Sequence, residues 1–149
     1  MAPRLSERLQ AVILIAVLVV AIAGLYGLTR TLQPAGIPSF VVHGVRLVVN
    51  GSGWTIEYSS LVTTNNTAFS LLQEASQRLG FAIAYEVYQI PEGVLVTSIN
   101  GSSNGEGGRY WQYWVNEAYG RVAADRSALS DDDIVTWRFD RSYEGASGA

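Results

Sequence analysis

The hydrophobic and polar positions fall into three regimes. Residues 11–28 are apolar without a single charge, a run that a helix extends over about 27 Å, close to the thickness of a bilayer's hydrocarbon layer. Residues 29–39 contain Pro34, Gly36 and Pro38 and read as a linker. From residue 40 onward, short stretches with a period of two alternate with turns, and one stretch has a helical period. Residues 41–49 and 54–62 read as two strands joined by the turn Asn50-Gly51-Ser52-Gly53; in the second, Trp54, Ile56 and Tyr58 alternate with Thr55, Glu57 and Ser59. Thr67 can cap a helix that runs to Leu79, with Phe69, Leu72, Ala75 and Leu79 on one stripe, Leu71 beside it, and Gln73, Glu74, Gln77 and Arg78 outward. Gly80 stands where a left-handed terminator belongs.

Strands follow at residues 81–88 and 94–99, separated by Pro91-Glu92-Gly93. Residues 100–108, with four glycines, read as a flexible loop. It leads into residues 109–116, which carry four aromatic rings. As a strand, this stretch places Trp111, Tyr113 and Val115 on one face and Tyr110, Gln112, Trp114 and Asn116 on the other. A further short strand is expected near Val122, Asp131-Asp132-Asp133 reads as a turn, and residues 134–139 close the sheet. Two strands, one helix and several more strands predict an α+β domain: a mixed sheet with one helix packed on one face, preceded by a single N-terminal transmembrane helix. The expected organisation is a cytoplasmic stretch 1–10, a signal-anchor 11–28, a linker 29–39, one domain over 40–141 and a disordered tail 142–149.

Charge fixes the expected orientation. Arg4, Arg8 and the amino terminus precede the apolar run, which favours that side as cytoplasmic and the domain as lying outside. A second reading stays open: Ala21-Ile22-Ala23 fits a cleavage site after a short apolar core, giving a secreted product. Asn50, Asn65 and Asn100 each begin an N-x-S/T glycosylation triplet, in keeping with export and a glycoprotein. No cysteine is present, which excludes disulfides and thiol chemistry. Beyond Arg30, seven arginines face twelve acids, a balance of −5 that argues against nucleic acid as a partner.

Four motifs carry a family resemblance: Thr67-Ala68-Phe69-Ser70-Leu71-Leu72, Val96-Thr97-Ser98-Ile99-Asn100-Gly101, Tyr110-Trp111-Gln112-Tyr113-Trp114-Val115-Asn116, and Leu129-Ser130-Asp131-Asp132-Asp133-Ile134-Val135-Thr136-Trp137. In this order and spacing the chain, over about 41–139, resembles the transcobalamin C-terminal-like domain, a family of unknown function in exported prokaryotic proteins. That family is related to the C-terminal domain of intrinsic factor and transcobalamin. The resemblance implies a β-grasp-like fold, and a domain that in the animal carriers covers one side of a corrinoid held against a large helical domain. That helical domain has no counterpart in this sequence. Glu117 and Asp132 stand where the family often has Gly.

The residues themselves support binding rather than catalysis. A ligand platform of Tyr110, Gln112, Trp114 and Asn116 would meet a flat molecule, with cobalamin or a related corrinoid as the ligand the resemblance implies; the same rings equally read as core. His43 is the one histidine and lacks the cluster a metal site needs. The three aspartates lack the spacing of a Ca²⁺ loop, and no Lys follows the glycines as in a phosphate loop. No nucleophile, base and acid stand in a recognisable arrangement, so the chain is expected not to be an enzyme. Two classes remain: a membrane-anchored binding module for a flat small molecule, and a surface protein-interaction or structural module.

Overall fold

The aromatic strand lies beside the C-terminal strand, with Trp111 opposite Phe139 and Tyr113 opposite Trp137. This pair is the spine of a five-stranded sheet in a computed structural model of the chain, which describes residues 14–22 and 38–141. In chain order the strands are β1 (Val42–Asn50), β2 (Thr55–Thr63), β3 (Ile83–Gln89), β4 (Glu92–Ile99), β5 (Ser102–Ser103), β6 (Tyr110–Val115), β7 (Ala118–Tyr119) and β8 (Ile134–Asp140). The large sheet has the order β2-β1-β8-β6-β7. β1 and β8 run parallel at its centre, while β1–β2, β8–β6 and β6–β7 are antiparallel.

The chain divides into two compact units, Met1–Gly36 and Ile37–Ala149. In the first, residues 14–22 form helix α1, with their apolar side chains exposed. No helix among the described residues is long and apolar enough to cross a membrane. The expected stretch 1–10, the tail 142–149, most of the linker 29–39 and both ends of the segment 11–28 lie outside the described residues.

In the second unit, α2 (Ala68–Leu79) packs Phe69, Leu71, Leu72 and Ala75 into the core. The Thr67 hydroxyl accepts a hydrogen bond from the N–H of Ser70, and the Ser70 hydroxyl accepts one from the N–H of Thr67, a reciprocal cap. Gly80 ends the helix at φ 77°, a conformation that costs glycine nothing. Leu71 is fully buried, whereas Leu79 on the expected stripe is exposed in the last turn. The core face of the large sheet gives Leu47, Val49, Trp111, Tyr113, Val135, Trp137 and Phe139. Burying one large aliphatic side chain of this kind stabilises by about 1.5–3 kcal/mol.

Three features differ from the sequence reading. The fold is mixed α+β, but with two sheets: β3, β4 and β5 form a separate three-stranded sheet. β3 is its edge and is largely exposed; Tyr85 packs edge-on against Phe69 at 4.8 Å while Val87 faces solvent. The short strand expected near Val122 lies instead at Ala118–Tyr119. Asn116 and Glu117 both have positive φ, 48° and 67°, and make a two-residue reversal that pairs Val115 with Ala118. The glycine-rich loop is tied down: Asn104 donates its amide to Val96 O at 3.0 Å and accepts Trp111 N–H at 2.7 Å.

Candidate functional site

Tyr110, Gln112 and Trp114 share one face of β6 with Asn116 just past its end; Tyr110 and Asn116 are exposed, Gln112 is half-buried and Trp114 is buried. Gln112 donates to the carbonyls of Asp140 and Arg141. Trp114 is buried, with the Arg138 guanidinium 4.5 Å from its ring centroid and Tyr119 edge-on at 5.5 Å. Arg138 also donates to the Glu117 carboxylate at 3.1 Å. Asn116 donates to Asp133 at 2.6 Å and accepts Ile134 N–H at 2.9 Å, fastening the β6–β7 reversal to the start of β8. On the opposite face, Trp111 and Tyr113 are core.

A concave apolar surface lies elsewhere, and single-residue patterns do not announce it. The β3–β4 hairpin and the segment 121–126 face each other across a groove of about 570 Å³, lined by Tyr88, Ile90, Pro91, Val94, Leu95 and Val122 among others. That volume lies in the range of small-molecule sites. The far wall is pinned to β4. Asp125 accepts the N–H of Val94 at 2.9 Å. Arg126 bridges Glu92 at 2.7 Å and Asp125 at 3.4 Å. The same segment is held over the core, since the Tyr113 hydroxyl donates to Val122 O at 2.7 Å. Burial pushes that phenol's pKa up, against the pull of its hydrogen bonds. Arg121, at the groove's lip, is exposed.

A smaller cleft of about 170 Å³ adjoins the groove and shares Val94, Leu95, Val122 and Ala123 with it. Trp111, Gln112, Tyr113 and Trp137 line its inner end. Groove and cleft escaped sequence reading because their walls come from residues about thirty apart in the chain.

The other candidates have structural partners. His43 gives its backbone N–H to Asp131 at 2.8 Å, with its ring nitrogen 3.3 Å from the same oxygen. These contacts, the backbone donor first, hold the Asp131 pKa below the usual carboxylate value. Among the described residues no three His, Cys, Asp or Glu side chains gather to hold a metal ion. Of the sequons, Asn50 accepts from the Thr55 hydroxyl, Asn65 donates its amide to Glu74, and Asn100 is exposed at φ 47°.

Comparison with known proteins places this geometry. A model of DUF4430, a domain of unknown function, matches residues 65–141, just over half the chain. A protein of Ruminococcus gnavus ATCC 29149 proposed to bind metal superposes with a TM-score of 0.54 at 16% identity, over 68% of this chain and 99% of its own. Haptocorrin in complex with Cbi superposes with a TM-score of 0.52 at 15% identity, over 69% of this chain and 26% of haptocorrin. The chain therefore spans about a quarter of haptocorrin's length, and at these identities the likeness is one of fold. No curated protein sequence matches. The family match and the haptocorrin fold agree with the transcobalamin C-terminal-like domain that the motifs resemble.

Proposed function

Because the chain belongs to the DUF4430 domain family and shares a fold with haptocorrin, we propose that it acts by binding, as a non-enzymatic, membrane-anchored module outside the cytoplasm that takes a corrinoid or another flat small molecule. The observation that carries this reading is the groove between the β3–β4 hairpin and the segment 121–126. It is apolar, of ligand size, and its far wall is fixed to β4 by Asp125 and Arg126. Apolar walls supply contact area, and fixed walls reduce the entropy lost on binding. Haptocorrin's complex with Cbi supports a corrinoid as the first ligand to try. The uncharged run 11–28 and the arginines before it support the anchor and its orientation. Tyr110, Trp114 and Asn116 of the aromatic strand do not line this groove or its adjoining cleft; Gln112, Trp114 and Asn116 hold that strand's surroundings in place.

The test is a titration of the full chain in detergent micelles with cobinamide, cobalamin and haem, following tryptophan fluorescence and the ligand's visible spectrum. Saturable binding at micromolar or tighter concentration is expected, and Val122→Asp should abolish it with the circular dichroism unchanged. An absence of binding up to about 1 mM, weaker than about −4.1 kcal/mol, would sink the small-molecule reading. Protease digestion of intact cells should remove the domain if it lies outside.

One observation favours the second reading, a protein-interaction module. β3 is a sheet edge carrying exposed Tyr85, Val87 and Tyr88, with Ile90 at its end, and such edges accept a partner's strand. Photocrosslinking from position 87 in native membranes should then capture one defined protein, and a crosslink-free result would remove this alternative.

A further inference from the structure

We propose that the ligand of the groove reaches inward with a hydrogen-bond acceptor, and that the indole N–H of Trp137 donates to it. This inference rests on the groove reading above. Trp137 stands in β8 at only 2% exposure, opposite Tyr113 and beside Val49. Its Nε1 is buried and has no hydrogen-bond partner among the described residues. Two ring donors on the adjacent strand β6 are engaged: Trp111 Nε1 donates to Ser102 O at 2.8 Å, and the Tyr113 hydroxyl to Val122 O at 2.7 Å. Trp137 thus carries the open donor in a row whose other donors are satisfied by backbone.

A buried N–H without an acceptor is destabilising, and a phenylalanine would offer much of the same apolar surface without that burden. Trp137 also lines the 170 Å³ cleft that adjoins the apolar groove. A cleft of this size has room for a short polar arm or a few waters. The ligand class follows from this layout: a flat apolar body lies in the groove, and an amide, carboxylate or carbonyl oxygen on a short arm enters the cleft. Cobinamide, with amide arms on its ring, and haem, with carboxylate arms, both have this form.

The experiment uses the full chain in detergent micelles, with ¹⁵N-labelled tryptophan, titrated with cobinamide and with haem. The four tryptophans give four indole N–H resonances, and that of Trp137 is assigned through its contact with Tyr113. On saturation the Trp137 resonance should move downfield with the midpoint seen in the visible spectrum, while that of Trp111 stays in place. Trp137→Phe should weaken binding about tenfold. If a probe binds and the Trp137 resonance stays still, or Trp137→Phe binds as tightly as the wild type, the N–H is satisfied by a resident water only. The inference is then overturned while the groove reading stands. If no probe binds, the groove reading falls and takes this inference with it. Should Trp137→Phe fail to fold, the wild-type resonance decides.

Discussion

Gly93 lies so close to Ala123 that a β-carbon at position 93 would stand 2.5 Å from the Ala123 β-carbon. The contact joins β4 to the far wall of the groove, and neither side has a flexible atom that could move aside. Gly93→Ala should therefore push the segment 121–126 outward. The expected cost is about 1–3 kcal/mol, the usual range for overpacking a tight contact, read as a lower urea midpoint. On the proposed binding role, cobinamide affinity should fall as well, because that wall of the groove has moved. A variant with unchanged stability and affinity would show that the wall does not depend on this contact.

Glu74 ties α2 to β2 and sets an acid limit on stability. Its carboxylate accepts from Tyr58 at 2.6 Å, Asn65 at 2.8 Å, Ser60 at 3.3 Å, and from the Thr63 hydroxyl. Partial burial raises its pKa, but the four donors outweigh this and hold it below the ordinary value of 4.5. A carboxylate with a depressed folded pKa contributes stability that is complete above its unfolded pKa and disappears as the pH falls through the folded one. The stabilisation is therefore present at pH 7 and is lost below about pH 4.5. Glu74→Gln should cost about 1–2 kcal/mol at pH 7 and flatten the decline between pH 5 and pH 3, measured by urea midpoints across that range. Parallel acid profiles for the two proteins would place the acid sensitivity elsewhere.

Glu74 also marks where the sequence stops being informative. Helical periodicity put it on the outward face with Gln73, and nothing local reveals that three hydroxyls and an amide from residues 58–65 converge on it. What was legible was local. The Thr67 cap and Gly80 terminator depend on residues within one helical turn, and the alternation in β6 correctly separated Trp111 and Tyr113 from Trp114. The division into two sheets was not legible, because β3 and β8 carry similar alternation and only the pairing partner distinguishes them. The groove was invisible for the same reason: Asp125 meets Val94 across 31 residues. Asn104 looked like one more polar residue in a glycine-rich loop, yet it links Val96 to Trp111.

Both places where the chain departs from the family's glycines have positive φ: Glu117 at 67° and Asp132 at 63°. A residue with a β-carbon pays about 1–2 kcal/mol there. Glycine would relieve that strain but add about 0.4–1 kcal/mol of unfolded-chain entropy. Glu117 offsets part of its strain by holding Arg138, which lies over Trp114, although so exposed an ion pair is worth little. Glu117→Gly should therefore raise stability by about 0.5 kcal/mol, a few degrees in melting temperature for a domain of this size. A lower melting temperature would show that the Glu117–Arg138 contact outweighs the backbone strain.

Asp125 and Arg126 hold the same wall by different means, and their substitution should separate fixing from charge. Asp125 accepts a backbone N–H of β4; losing that acceptor leaves the Val94 amide without its partner at the groove. Arg126 contributes ion pairs to Glu92 and Asp125 with side chains roughly a quarter to a half exposed, and pairs of that kind add at most about 1 kcal/mol. Asp125→Ala should cost about 1–3 kcal/mol and accelerate hydrogen exchange at Val94 and through the segment 121–126. Arg126→Ala should leave exchange at Val94 close to the wild-type rate and lower stability by less. Raising the salt concentration should weaken the wild type toward Arg126→Ala while removing only the smaller part of the Asp125→Ala difference that comes from its pair with Arg126, since salt screens the ion pairs far more than the hydrogen bond from Val94 N–H to Asp125. Equal effects from the two substitutions would mean that charge, not the backbone contact, sets the position of the wall.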